Sequence, residues 1–163
     1  MVGEWGMPIF RSNATNKVDN AGRVTIPAAI RDALPSDQNS SVTIVPSLKH
    51  PCIQGGDSSM LARLSDRIEA QFGPYSDEYD YMVNEIYGQS EDVEFDSKHR
   101  IKIPQFMLDE AGITKEAIIV GLRDKFEIWN PDRYADYRSG MKEKALQSAM
   151  KLGPLNTRRG EGD

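Results

Sequence analysis

Cysteine and histidine are almost missing from the 163-residue sequence, which holds only Cys52, His50 and His99. One cysteine excludes an internal disulfide framework and every multi-cysteine zinc pattern. Two histidines so far apart make a metal enzyme a poor expectation. Long apolar runs are missing as well. The longest, Ala117 to Leu122, lies between Glu116 and Arg123, far short of the roughly 20 residues a membrane helix needs. The first ten residues include Glu4 and have neither a basic start nor an apolar stretch, unlike a signal peptide. Phosphate-loop and dinucleotide glycine patterns are absent, and Gln54-Gly55-Gly56 reads as a strand-to-helix turn. These absences lead to an expectation of a cytoplasmic protein that is no enzyme. No cofactor, metal, membrane or small-molecule substrate is expected.

What is present is an ordinary globular composition, 39% hydrophobic and 28% charged, enough for a real core at this length. A net charge of −5 argues against nucleic acid as a partner only if it is spread evenly. It is not. Residues 66–97 carry ten acids against one base, Arg67, so the rest of the chain is mildly basic. Within 1–35 the bases Arg11, Lys17, Arg23 and Arg31 outnumber the acids Glu4, Asp19 and Asp32.

An internal repeat organises the chain. Val18-Asp19-Asn20-Ala21-Gly22-Arg23-Val24-Thr25-Ile26-Pro27 aligns with Phe95-Asp96-Ser97-Lys98-His99-Arg100-Ile101-Lys102-Ile103-Pro104 at an offset of 77 residues. At an offset of 75, Val42 to Val45 matches Ala117 to Val120, and Pro51 to Gln54 matches Phe126 to Trp129. Each half reads as a short strand, a tight turn and a second strand. A short helix then opens at Pro27 or Pro104, a helix start being where proline is tolerated. The patterns predict helices over 27–34 and 104–111, the latter stopped by Gly112. They predict strands over 42–46 with 51–54, and 117–122 with 125–129.

A longer helix closes each half. Asp57 or Ser58 is expected to cap the first, with Leu61, Leu64 and Ile68 on one face. Asn130-Pro131 opens the second, with Tyr134, Tyr137 and Met141 at helical spacing. Between them 77–87 is amphipathic through Tyr79, Met82, Val83 and Ile86, and its acidic start suits the helix dipole. The expected organisation is a flexible 1–9, a first unit over 10–75, an acidic helical connection over 76–90, a second unit over 91–150 and a disordered tail over 151–163.

The repeated Asp-x-x-x-Arg turn carries the candidate chemistry. Strand side chains alternate, so Val24, Ile26, Ile101 and Ile103 point inward while Arg23, Thr25, Arg100 and Lys102 point outward. Asp19 and Asp96 can accept backbone N–H groups across their own turns and brace the arginine four residues on. A guanidinium fork held beside a small loop suits phosphate or a guanine edge. Taken singly, such a pair is more simply an exposed ion pair contributing about 0–1 kcal/mol. Its duplication on matching faces, with Lys17, Lys98 and Lys102 nearby, favours binding.

At these residues the chain resembles the MraZ family, built of two tandem AbrB-like (SpoVT-AbrB) units. The resemblance spans about residues 10–140. It rests on the two turns with their following Ile-Pro, on Phe10-Arg11, on His50-Pro51-Cys52, and on Val120-Gly121 with Lys125-Phe126-Glu127-Ile128-Trp129. It implies an α+β fold of β-barrel-type units with peripheral helices and a pseudo-two-fold internal repeat. It also implies a nucleoid-associated transcriptional regulator assembled as a ring-shaped homo-oligomer. Its target would be direct repeats in double-stranded promoter DNA of the division and cell-wall gene cluster, including its own gene. The family's DNA-facing motif falls on Asp19, Arg23, Asp96 and Arg100; Arg11, Lys17, Lys98 and Lys102 join them on charge and position. Two departures stand out: His99 occupies the usual glycine before the second arginine, and Asn20-Ala21 are neutral where relatives often carry lysine. An oligomeric protein-binding scaffold and an antitoxin-type regulator are the alternatives. Two complete units and a short tail count against the second.

Overall fold

A computed structural model describes residues 7–35 and 40–154. Most of the expected flexible N-terminus (1–6) and disordered tail (155–163) therefore lies outside the described residues. The chain divides into two compact units, one ending at Pro131 and one beginning at Asp132.

The first unit contains β1 (Asn13–Lys17), β2 (Arg23–Thr25), α1 (Ala28–Arg31), β3 (Ser41–Pro46), β4 (Ile53–Gly56), α2 (Met60–Phe72) and α3 (Asp77–Gly88). It continues with β5 (Glu91–Glu94), β6 (Arg100–Lys102), α4 (Gln105–Ala111), β7 (Glu116–Gly121) and β8 (Phe126–Trp129). This is the mixed α+β architecture expected. Among the described residues the strands form a six-stranded sheet, ordered β1-β7-β8-β4-β3-β5, and a two-stranded sheet of β2 and β6. Every pairing is antiparallel. The order reads the same from either edge when each strand is exchanged for its repeat counterpart, so the sequence repeat is a spatial pseudo-two-fold. The halves also interleave: β1 pairs with β7, β2 with β6, β3 with β5 and β4 with β8.

Strand alternation builds the core. Val24, Ile26, Ile101 and Ile103 are buried together with Ile30, Met107 and Leu108 of the short helices and Ile44, Ile53, Ile119, Phe126 and Ile128 of the large sheet. Each fully buried aliphatic side chain contributes about 1.5–3 kcal/mol. The two-stranded sheet is thus pinned from one side, leaving Arg23, Thr25 and Lys102 exposed on the other. A second cluster joins Val45 to Met60, Leu61 and Ile68 of α2 and Ile86 of α3, with Leu64, Tyr79 and Met82 packed against it. The acidic segment is therefore in part a helix anchored by its apolar stripe. Its Ser76 accepts the Tyr79 N–H at 3.1 Å as an N-cap.

Three local expectations need correction. The α2 N-cap is Ser59, without a side-chain capping bond. Asp57 instead holds Arg63 in a two-pronged pair at 2.6 and 3.1 Å, because burial demands a full counter-charge rather than one backbone N–H. The helix after Pro27 is only Ala28–Arg31, with Pro27 itself as N-cap, and the chain beyond tightens into i→i+3 bonds at Ala33 and Leu34. In the second unit the expected single helix is two, α5 (Pro131–Arg138) and α6 (Met141–Ala149). Gly140 between them sits at φ 75°, a conformation that ends a right-handed helix and costs glycine little. Gly112 closes α4 in the left-handed conformation, as its position after the helix predicts.

Candidate nucleic-acid interface

The two turns are built alike, bond for bond. In the first, Asp19 Oδ1 accepts the N–H groups of Ala21 at 3.0 Å and Arg23 at 2.8 Å, while Oδ2 accepts Arg23 Nε at 2.8 Å. In the second, Asp96 Oδ1 accepts the N–H groups of Lys98 at 2.9 Å and Arg100 at 3.0 Å, and Oδ2 accepts Arg100 Nε at 2.8 Å. The N–H donated by each following arginine holds the Asp19 and Asp96 carboxyls below the ordinary carboxylate range, against a smaller opposing effect of desolvation. The charged form of each aspartate is therefore the favoured one.

Turn closure calls for a left-handed residue before each arginine. Gly22 takes it at φ 82° and His99 at φ 61°. At Gly22 the space is also closed, since a Cβ would lie 2.9 Å from the Ile103 carbonyl oxygen. His99 thus keeps the same left-handed backbone as Gly22, and its side chain is exposed.

Strand pairing then brings the turns together. Arg23 lies opposite Lys102, Val24 opposite Ile101, and Thr25 opposite Arg100. The ladder continues on both sides, with the Ile26 N–H donating to the His99 carbonyl at 3.1 Å and the Ile103 N–H to the Gly22 carbonyl at 2.9 Å. Arg100 Nη1 lies 3.6 Å from Asp19 Oδ2, an ion pair from one repeat to the other. Asp19, Arg23, Asp96, Arg100 and Lys102 therefore share one face, with Lys98 exposed in the second turn. Lys17 ends β1 just before that face, where Val18 bridges Val24. Arg11 lies elsewhere.

Sequence reasoning missed Asn16, whose Nδ2 donates to the Thr25 carbonyl at 2.8 Å and fixes β1 beside β2. It also missed Arg31, whose Nη1 donates to the Ile26 carbonyl at 3.2 Å. Neither has a distinguishing pattern. The cross-repeat ion pair was likewise invisible, because 81 positions separate Asp19 from Arg100 in the chain.

The remaining candidates carry less chemistry. Cys52 is buried, and burial pushes its thiol far above the ordinary range, with the Glu127 carboxylate adding to the rise; such a thiol is inert. A cavity of about 90 Å³ lies beside α2, lined by Gln54, Arg63, Arg67 and Asp124 among others, but its inner cation, Arg63, is already matched to Asp57. Among the described residues no group of three or more His, Cys, Asp or Glu could hold a metal ion, and no helix is long and apolar enough to cross a membrane.

Residues 86–151 match a family described as "MraZ protein, putative antitoxin-like". Similarity extends much further in individual proteins. Transcriptional regulator MraZ of Rickettsia canadensis (strain McKiel) is 33% identical over 150 residues, covering 92% of this chain and all of the relative. The chain belongs to the MraZ family. Transcriptional regulator MraZ of Rickettsia akari (strain Hartford) is 34% identical over 146 residues, covering 90% of this chain and 92% of the relative. The Azorhizobium caulinodans protein of that name is 32% identical over 147 residues, covering 90% and 93%. The MraZ family is one of transcriptional regulators, not of enzymes.

Proposed function

We propose that this chain is a transcriptional regulator that binds double-stranded promoter DNA through the exposed face of β2 and β6. The observation that carries the reading is the pairing of two Asp–Arg turns on one face, each holding a guanidinium at a set position. Braced arginines and nearby lysines suit a surface that meets phosphates for affinity and base edges for sequence. The name shared by the relatives, transcriptional regulator, points the same way. The interface is built from Asp19, Arg23, Asp96 and Arg100, with Lys17, Lys98 and Lys102 as phosphate contacts; Arg11 would touch DNA only beyond the main face.

The proposal extends to the architecture. The halves 10–75 and 91–150 act as two AbrB-like repeats, joined by 76–90, that interleave their strands into one barrel-type body, and several chains assemble into a ring-shaped homo-oligomer. A ring reading direct repeats gains avidity, which offsets the net acidity of each chain. The targets are direct repeats upstream of the division and cell-wall gene cluster, including the chain's own gene, and the protein works in the cytoplasm on the nucleoid.

Binding of labelled DNA from upstream of the chain's own gene tests this, with Arg23→Ala, Arg100→Ala and the double variant measured across a salt series. The expected result is a preference over scrambled DNA that needs repeated boxes, weakens with salt and falls in both variants while oligomer size is unchanged. No preference, with assembly intact, removes the DNA-binding reading and leaves a protein-binding scaffold.

A further inference from the structure

We propose that the two arginines divide the work of the interface: Arg23 presents the outer edge of its guanidinium to a guanine of the promoter, whereas Arg100 is a positioning residue that ties the two turns together. This rests on the DNA-binding reading above and assigns the two halves of the repeat different roles within it.

The repeat is kept in the backbone and broken in the side chains. Both arginines donate Nε to their own aspartate at 2.8 Å. Arg100 alone also sends Nη1 toward the other turn, 3.6 Å from Asp19 Oδ2. Asp19 therefore gathers two guanidinium groups and Asp96 one. Exposure follows the same order, with the Arg23 side chain 43% exposed and Arg100 24%. Among the described residues the two Nη atoms of Arg23 have no partner. Those are the donors that guanine O6 and N7 accept in a two-pronged contact.

The cause is one pair of strand positions. Arg100 stands opposite Thr25, and Arg23 stands opposite Lys102. Thr25 is short and neutral, so Arg100 has room to reach across β2 to Asp19. Lys102 is long and cationic, and like charges directly opposed repel, so Arg23 has no such route to Asp96 and stays turned outward. Lys102 itself is a compact point charge, suited to phosphate rather than to a base edge.

The test uses the full chain and a labelled duplex from upstream of its own gene, with each guanine replaced in turn by 7-deazaguanine. That change removes the N7 acceptor and keeps base pairing. Wild type is expected to lose roughly 10–100-fold in affinity at one guanine of each repeat. Arg23→Ala, which leaves no donor there, should bind unmodified DNA at least that much more weakly and show no further loss at that guanine. Arg100→Lys should weaken binding to every duplex yet keep the 7-deazaguanine penalty. Thr25→Lys, which leaves both arginines in place, should behave as Arg100→Lys does, and it serves where Arg100→Lys does not fold. The division of roles is overturned if the penalty vanishes in Arg100→Lys or Thr25→Lys. It is equally overturned if the penalty survives in Arg23→Ala, or if wild type prefers its promoter without a sensitive guanine. A wild type that does not prefer its promoter at all fails differently, because the DNA-binding reading itself then falls.

Discussion

Asp19 and Asp96 act on their turns through charge, and that makes the turns sensitive to acid. Their folded carboxyls titrate below the ordinary value because backbone N–H groups and a guanidinium favour the charged form. As pH falls, the unfolded chain takes up protons first, near the usual value of about 3.9. Stability present above that value is then lost as pH drops toward the folded one. Thermal unfolding from pH 6 to pH 2 should therefore show a steep acid limb in wild type and a shallower one in the Asp19→Asn, Asp96→Asn double variant. The residue before each arginine gives a second prediction. Gly22→Ala meets both a left-handed φ and the Ile103 carbonyl and should destabilise by about 1–3 kcal/mol in urea unfolding. His99→Gly should fall within about 1 kcal/mol of wild type, on the stabilising side, since glycine relieves the strained φ while adding freedom to the unfolded chain.

Among the elements, α2 depends on a buried ion pair more than on a cap. The Asp57 side chain is 5% exposed and Arg63 25%, and the pair's hydrogen bonds raise the guanidinium's proton affinity against burial. Removing the carboxylate leaves the half-buried Arg63 guanidinium without its counter-charge. Asp57→Ala should then cost about 2–4 kcal/mol. Asp32→Ala should lie within about 0.5 kcal/mol of wild type, because Asp32 is exposed and 3.9 Å from Arg31. Urea midpoints of the two variants, compared side by side, check the contrast. The spacing Asp-x₅-Arg across a helix start signals nothing in the sequence. Asp57 was legible there as a candidate cap, and only its burial reassigns it.

For the whole molecule, the repeat is an interleaved pair and not two beads. Every strand of the first half has a partner from the second, so a chain ending at residue 90 leaves β1 and β2 unpaired and lacks the partners of β3 and β4 from the second half. The isolated pieces 1–90 and 91–163 should each lack a cooperative thermal transition by circular dichroism. Mixed in equal amounts, they should regain one at a lower midpoint, since association of two chains replaces a covalent connection. A cooperative transition in the first piece alone would contradict this account of its stability.

Local pattern was enough for what depends on near neighbours. Asp and Arg four positions apart close the same turn in both repeats, alternation buries Val24 and Ile101, and the stripe of Tyr79, Met82 and Ile86 makes α3 amphipathic. The repeat itself, read as an offset of 77 residues, already announced two equivalent turns and named Asp19, Arg23, Asp96 and Arg100. What pairs with what was decided in three dimensions, because hydrogen-bond ladders between strands carry no mark in either strand of which partner they will take. The register of β2 on β6 sets Arg23 against Lys102 and Arg100 against Thr25. From that single placement come the shared face, the ion pair from Arg100 to Asp19 and the inequality of two turns that look alike in the sequence.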